Sequence, residues 1–243
     1  MTTGQVSPHV RQFILLVDRI TIAISRHWLV LASMLLFVFI TLPLLAPVLM
    51  ANGYTGPAQI IYTAYRFTCH ELAYRTFFIS GAQPVYSLEQ LRASLNVHDE
   101  DFFFWSNFPG NSQLGYKMAW CERDAAIYTS IFIGGLIFGL LRSRVRRLDW
   151  RIYLLLVVPM AVDGFWQLFT SPVVLLPFLP AHESDWLLRT ITGTLFGLAS
   201  VWLIYPYIEA AMRDIYSQAR GQFQRAMEYE SGLSVPPARR NRL

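Results

Sequence analysis

The chain has 243 residues, of which 54% are hydrophobic and 15% are charged, and its mean hydropathy is +0.36. These values lie outside the usual range for a soluble domain and indicate an integral membrane protein. The formal net charge is +4, but the basic residues flank apolar segments, which favours membrane lipids as partners and argues against nucleic acid.

The N-terminal region combines a periodic segment with a long apolar run. Residues 8–27 place apolar side chains at intervals of three and four, which is typical of an amphipathic helix on the inner membrane surface or of a helical extension of the next span. Residues 28–50 contain no charge, and a spanning helix needs about 20 apolar residues. We do not expect a cleaved signal peptide, because this apolar run is too long.

The next segment, residues 57–80, begins with a proline and runs to Gly81, which predicts one helix of about six turns. It has the length to span, but it carries Arg66, His70, Glu71 and Arg75. Two arrangements are compatible with this: four spans with this helix re-entrant or interfacial, or five spans. We favour four, because three arginines lie before the first span and prefer the cytoplasm.

Residues 81–120 are richer in acids than in bases and are predicted to be an extracytoplasmic insertion. They include the run DFFFWSNFPG at residues 101–110. We interpret its aromatic residues as an anchor in the lipid headgroup region, with a docking patch for a protein partner as the alternative. The aromatic residues are Phe102, Phe103, Phe104, Trp105 and Phe108.

Three further apolar segments are predicted to span, at residues 125–141, 152–171 and 190–208. The loop at residues 142–151 holds five arginines and one aspartate, and six more arginines follow residue 209. The positive-inside rule therefore predicts a multi-pass protein of the cell membrane with a cytoplasmic C-terminus. Glycines at 135 and 139, and at 193 and 197, have the GxxxG spacing that permits close helix packing, which we assign to the inside of the bundle.

The expected architecture is an all-α polytopic transmembrane helix bundle. We divide it into a cytoplasmic amphipathic helix at residues 1–27, a bundle at 28–210 with the insertion 81–120, and a basic cytoplasmic tail at 211–243 that is partly disordered.

Four groups of polar residues converge near the outer leaflet in this topology. They are predicted to form one site that could include catalytic residues, because ionisable groups inside a membrane are costly and usually functional. Asp163 and Gln167 share one helix face, and Asp163 is expected to pair with Arg189. The groups are Cys69, His70 and Arg75; Cys121, Arg123 and Asp124; Asp163 and Gln167; and Arg189.

The two cysteines allow two interpretations. Two neighbouring cysteines outside the cytoplasm most often form a disulfide, which is the first interpretation of Cys69 and Cys121. Together with His70 and Asp124 they also make a four-ligand set for zinc or another transition metal. Adjacent residues on a helix point about 100° apart, so Cys69 and His70 could not both bind one ion without local distortion.

The ordered motifs resemble an uncharacterised membrane protein family, the domain of unknown function 2085. They read CHELAYRT at 69–76, CERDAAIY at 121–128, PMAVDGFWQ at 159–167 and RTITGTLFG at 189–197. The resemblance implies that the outer polar cluster is a shared site, without implying an activity. Glu71 stands where the family usually has Gln, and the insertion at about 85–119 separates motifs that normally lie close.

Three functions fit these observations. The protein could be a metal-dependent membrane enzyme in which Arg75, Arg123 and Arg189 hold a lipid or isoprenoid phosphate, since guanidinium groups pair with phosphate in a bidentate way. It could be a thiol/disulfide redox protein, although it has no CxxC pair. It could also be a non-catalytic subunit of a membrane complex, with the polar cluster as a structural element.

Overall fold

The computed structural model describes residues 8–98, 101–169 and 183–230. The fold is nearly all-α, as expected, with a small three-stranded sheet that was not predicted. The helices are α1 (Pro8–Ala51), α2 (Thr55–Tyr65), α3 (Leu88–Leu95), α4 (Phe102–Asn107), α5 (Glu122–Leu141), α6 (Trp150–Phe169) and α7 (Trp186–Glu230). The strands are β1 (Phe78–Ile79), β2 (Gly110–Asn111) and β3 (Gly115–Lys117), and a short 3₁₀ helix covers Ala73–Arg75.

Three helices are long and apolar enough to cross a membrane, within the described part of the chain. They are α1, α5 and α7, over His9–Ala51, Glu122–Leu141 and Trp186–Glu228. The sequence prediction of spans at 28–50, 125–141 and 190–208 therefore has a helix at each place. Helix α6 has 20 residues but is not among the three; it includes Arg151, Asp163 and Gln167. The choice between four and five spans stays a prediction.

The chain divides into two compact units, and the first consists of residues 1–32 and 206–243. Within its described residues, α1 is helical on both sides of a kink at His27, where φ is −111°. The choice between a surface helix and a helical extension of the first span stays a prediction. The Trp28 indole donates to Glu209 Oε2 at 2.9 Å, and the Arg11 guanidinium donates to the Ala226 carbonyl at 3.2 Å. The predicted disorder from Ser231 onward lies outside the described residues.

The predicted helix over residues 57–80 is wrong beyond Tyr65. Helix α2 has 11 residues, or about 16 Å of rise, which is too short to cross a hydrocarbon core of about 30 Å. Thr68 and Cys69 donate their backbone amides to the Tyr65 carbonyl, and Glu71 has a φ of +50°, which no right-handed helix accommodates. Strand β1 then takes up Phe78 and Ile79. Tertiary pairing overrides the helical pattern here.

The connecting segment between α2 and α5, residues 66–121, has a hydrophobic core of its own. Strand β3 pairs with both β1 and β2, with Phe78 opposite Lys117. Helix α3 begins with a capping box in which Ser87 and Gln90 satisfy each other's backbone amides. The core consists of Leu72, Ala73, Phe78, Tyr86, Leu91, Trp105 and Leu114.

This core corrects the interpretation of the aromatic run. Trp105 is 2% exposed and packs edge-on against Tyr74 at 6.3 Å, so it is a core residue and not a headgroup anchor. Phe104 packs on the same core, whereas Phe103 is 69% exposed. A surface for lipid or for a partner would therefore be formed by Phe102 and Phe103. A protein partner at this place stays a prediction.

Small residues bring α5 and α7 into contact, as the GxxxG spacing predicts. A Cβ on Gly197 would lie 2.0 Å from Ser130 Oγ and 2.6 Å from the Ile127 carbonyl oxygen. A Cβ on Gly193 would lie 2.8 Å from the Arg123 carbonyl oxygen. Helix α7 therefore packs closely on α5 from Gly193 to Gly197, which fixes the place of Arg189 relative to the first turn of α5.

Candidate functional site

Cys69 lies four residues beyond the end of α2 and packs against an aromatic core. The Tyr65 hydroxyl donates to the Phe39 carbonyl at 2.7 Å, and the Tyr65 ring lies edge-on against Trp120 at 5.6 Å. These rings belong to a core formed by α1, α2 and the start of α5, and Cys69 packs against it. Cys69 also lines the site cavity.

Cys121 is the N-cap of α5. Its Sγ accepts from the Asp124 amide at 3.4 Å, which places the Asp124 carboxylate one turn along the same helix end. The sulfurs of Cys69 and Cys121 and a carboxylate oxygen of Asp124 all lie within 4.8 Å of one another. Both cysteines are free thiols and half-buried. The hydrogen bond with Cys69, together with burial, raises the pKa of Cys121 well above its ordinary value.

Three of the four predicted metal ligands therefore meet, and His70 does not join them. The His70 side chain is exposed, and its ring lies edge-on against Phe102 at a centroid distance of 5.3 Å. Cys69 and His70 lie beyond the end of α2. The divergence of adjacent side chains on a helix is therefore not the reason that His70 lies apart from the two cysteines. His70 still lines the same cavity as the cysteines.

The cluster opens on a cavity of about 210 Å³. The cavity wall holds all three arginines that were singled out from the sequence, together with Gln167. The residues that matter for its chemistry are Cys69, His70, Glu71, Arg75, Cys121, Arg123, Asp124, Gln167 and Arg189. The structure thus brings residues of the four separate motifs to the wall of one cavity, whereas the roles of these residues stay predictions.

Two of the arginines share the carboxylate of Glu183. Arg75 donates from Nε and Nη2 to the two oxygens of Glu183, both at 2.7 Å. Arg189 donates to Glu183 as well, and Gln167 Nε2 does so at 3.2 Å. The Glu183 side chain is 50% exposed. Arg75 thus pairs with the Glu183 carboxylate in a bidentate geometry, and that carboxylate is accessible to solvent.

The predicted pair between Asp163 and Arg189 is wrong. Asp163 is paired with Arg123 and also accepts a hydrogen bond from Ser184. Arg189 pairs instead with Glu122 at 3.0 Å, and both of these side chains are almost fully buried. The reason is positional: the glycine contacts of α7 put Arg189 beside the first turn of α5, where Glu122 lies.

Sequence reasoning missed Glu122 and Glu183 as partners of the arginines. Glu122 lies inside the motif CERD, between two residues that were selected, so its position offered a signal. Nothing in the sequence spacing of Glu183 indicates its contact with Arg75.

Lys117 and Glu71 form a second buried pair that was not predicted. Lys117 donates from Nζ to the carbonyls of Glu71 and Ser106, and its Nζ lies 3.9 Å from a Glu71 carboxylate oxygen. Burial raises the pKa of Glu71 to about 7, although the nearby Lys117 charge opposes this. Burial likewise lowers the pKa of Lys117 to about 8. Glu71 lines both the site cavity and a neighbouring one of about 250 Å³.

Comparison with known proteins finds a family that part of this chain resembles. A family model described as "Predicted membrane protein (DUF2085)" matches residues 112–203. The chain resembles this family there. The resemblance expected from the motifs is thereby confirmed for CERDAAIY, PMAVDGFWQ and RTITGTLFG, and the motif CHELAYRT lies before the matched DUF2085 region.

A curated relative extends the similarity. The chain is 28% identical over 151 residues to the uncharacterized protein MJ1492 of Methanocaldococcus jannaschii, which covers 60% of this chain and 67% of that protein. No solved structure matches the chain significantly. The matched region, residues 112–203, includes five residues of the cavity wall: Cys121, Arg123, Asp124, Gln167 and Arg189. Three of them carry charged side chains.

Proposed function

We propose that the protein is a metal-dependent membrane enzyme that acts on a lipid or isoprenoid phosphate. The observation that carries the proposal is the group formed by Cys69, Cys121 and Asp124, whose ligand atoms lie within 4.8 Å of one another on the wall of a cavity. Catalytic zinc sites use three protein ligands and leave one position open, and these three residue types are all zinc ligands.

The spacing of the donor atoms supports zinc or a similar transition metal. Two sulfurs bound to one zinc ion at about 2.3 Å each are separated by less than about 4.6 Å, so atoms within 4.8 Å need little movement to reach that geometry. The backbone amide of Asp124 already donates to the Cys121 sulfur, which orients it. A bound metal ion would supply Lewis acidity and a water of lowered pKa.

The arginines support a phosphate as the group that is recognised. Arg75 and Arg189 both donate to one half-exposed carboxylate, that of Glu183. Phosphate oxygens present the same bidentate acceptor geometry, so a phosphate could exchange with this carboxylate. The third arginine, Arg123, is engaged by Asp163, and we assign to Asp163 the role of positioning Arg123.

We place this cavity at the outer face of the cell membrane, with the C-terminus in the cytoplasm. The arginine-rich loop at residues 142–151 follows α5 at the end away from Cys121. By the positive-inside rule that loop is cytoplasmic, which leaves Cys121 and the cavity on the other side. A cysteine introduced at Glu89 in a Cys69→Ser/Cys121→Ser background should react with an impermeant maleimide on intact cells. Reaction only after lysis would refute this orientation.

The metal is tested by its content per chain in detergent-purified protein. Wild type should hold about one ion, and Cys69→Ser, Cys121→Ser and Asp124→Asn should each lose it, since each removes one of three ligands. His70→Gln should keep the ion because His70 is outside the group. Asp214→Asn, at an exposed aspartate on α7, is the matched control for Asp124→Asn. Wild type without metal, under reducing purification with added zinc, would contradict the proposal.

The phosphate is tested by binding of a short-chain isoprenyl phosphate. Arg75→Lys should weaken binding, because a lysine cannot replace a bidentate contact. Inorganic phosphate should compete if the headgroup alone is recognised, and the corresponding isoprenol should not compete. Equal binding of the phosphate and the alcohol would rule out recognition of phosphate by this site.

A second candidate is a thiol/disulfide redox protein, favoured by the proximity of the two free sulfurs. The same samples distinguish it, when free thiols are counted without reductant. Two free thiols in metal-free wild type after mild oxidation would exclude a redox pair. A bond that forms between Cys69 and Cys121 and is reduced again with the fold intact would favour it over the metal enzyme.

A further inference from the structure

An apolar groove lies between α5 and α7, at the end of α5 away from the cysteine cluster. Its volume is about 480 Å³, which is within the range of about 300–1,000 Å³ that small-molecule pockets have. Its wall is formed by Phe138, Leu198, Val201 and Trp202, and two arginines, Arg144 and Arg146, line it at the loop after α5. It shares no residue with the site cavity.

The groove is built into the packing of the two helices. At Gly134 the helices are close, since a Cβ there would lie 3.2 Å from Leu198 and 3.3 Å from Val201. One turn further on, Phe138 is 3% exposed and turns its ring edge-on against Tyr205 at 5.6 Å. The space left beside Phe138 is the apolar part of the groove.

The loop that carries the arginines is held over the end of this groove. The amides of Arg144 and Val145 donate to the Leu141 carbonyl at 2.7 and 3.1 Å. The Trp202 indole donates to the Arg146 carbonyl at 2.9 Å, which ties the loop to α7. The backbone is thereby fixed, while the two arginine side chains are exposed.

These arginines differ from those of the site cavity. Arg75, Arg123 and Arg189 each have a carboxylate partner. No described acidic side chain forms a salt bridge with Arg144 or Arg146, in the ranges 8–98, 101–169 and 183–230. An apolar groove that ends at two guanidinium groups, neither of which has a salt bridge within the described part of the chain, matches the chemistry of an acyl chain attached to an anionic phosphate.

We propose that this groove is a binding site for one anionic phospholipid. An acyl chain lies along Phe138, Val201 and Trp202, and the phosphate pairs with Arg144 and Arg146. Basic pockets between transmembrane helices bind anionic headgroups in this way. The proposal does not depend on a metal or on a reaction at the cysteine cluster.

The test is a lipid titration of detergent-purified protein followed by native mass spectrometry. Phosphatidylglycerol is the probe, and phosphatidylcholine with the same acyl chains is the neutral comparison. Wild type should bind phosphatidylglycerol at least tenfold more tightly than phosphatidylcholine. Arg144→Ala/Arg146→Ala should abolish that difference. The double variant Arg220→Ala/Arg225→Ala makes the same change of charge at exposed positions on α7 outside the groove, and it should bind like wild type.

A second variant tests the acyl chain separately from the charge. Val145→Trp introduces bulk from the loop into the groove without changing charge, and it should weaken phosphatidylglycerol binding at least tenfold. Melting temperature in detergent shows that each variant is folded. Equal wild-type affinity for the two lipids, unchanged binding in Arg144→Ala/Arg146→Ala, or unchanged binding in a folded Val145→Trp variant would each overturn the proposal.

Discussion

Replacement of Glu71 by Gln should make the protein more stable at neutral and alkaline pH, with little effect in acid. Glu71 is fully buried, and neither carboxylate oxygen has a hydrogen-bond partner among the described residues. Burial raises its pKa from the ordinary 4.5 to about 7. Gln has nearly the shape of the protonated carboxyl and carries no charge, and Lys117 keeps its hydrogen bonds to the backbone carbonyls of residue 71 and Ser106 in the variant.

The sign follows from where the proton is bound. Between pH 4.5 and about 7 the folded chain holds a proton on Glu71 that the unfolded chain has lost. The stability linked to this proton is therefore fully present below pH 4.5 and is lost as the pH rises through about 7. At about 1.4 kcal/mol per pKa unit, the loss amounts to about 3 kcal/mol.

The assay is thermal unfolding in detergent at pH 5 and pH 8. The Glu71→Gln variant and wild type should melt at similar temperatures at pH 5. At pH 8 the variant should melt about 6–12 °C higher, because 1 kcal/mol corresponds to about 2–4 °C for a chain of this size. Glu89→Gln, at an exposed glutamate on α3, is the matched control and should show no such difference. A difference between Glu71→Gln and wild type that is the same at both pH values would refute the reasoning.

Three further predictions concern the bundle. Arg189→Met should destabilise the protein by about 3–5 kcal/mol, because it leaves Glu122 buried and unpaired by Arg189, and Glu122→Gln in the same chain should recover part of the melting temperature. Asp163→Asn should cost about 1–3 kcal/mol in detergent melting, since it removes a charged acceptor from two hydrogen bonds. Gly197→Ala should lower the melting temperature by forcing apart α5 and α7, whereas Gly221→Ala, with open space around it, should not.

The spanning helices could be predicted because each depends on local sequence alone. An uncharged run of about 20 residues can satisfy its backbone groups in a membrane only as a helix, so composition is sufficient. The GxxxG spacing in α7 is local in the same sense, and it predicts close packing without identifying Ser130 as the residue that Gly197 contacts.

The connecting segment could not be predicted in this way. Its strands have two or three residues each and show no alternation long enough to recognise. The pattern of residues 57–80 is compatible with a helix, and only the pairing of Phe78 with Lys117 and the left-handed backbone at Glu71 break it. Such contacts join positions about 40 residues apart, and single-sequence periodicity contains no information on them.

The sequence predicted which residues lie together at the cavity but not which ion pairs they form. Motif order and topology brought the cysteines and arginines to one place, whereas the identity of each ion pair depends on side-chain positions within a few ångströms. Glu122, Asp163 and Glu183 were all available to the arginines, and helix packing decided between them. The choice of Asp163 for Arg189 failed for that reason.

The pairing of the arginines also limits how an anion could enter the cavity. A buried guanidinium without a carboxylate partner is costly, and Arg75 and Arg189 are both paired with carboxylates. Glu122 is buried with Arg189, so displacing Glu122 from this pair would leave a buried carboxylate without its partner. Glu183 is 50% exposed and can be rehydrated when it leaves, so it is the carboxylate with the lowest cost of exchange. A phosphate ligand would therefore compete with Glu183, and its affinity would rise in Glu183→Gln, because the neutral side chain is a weaker acceptor for both arginines.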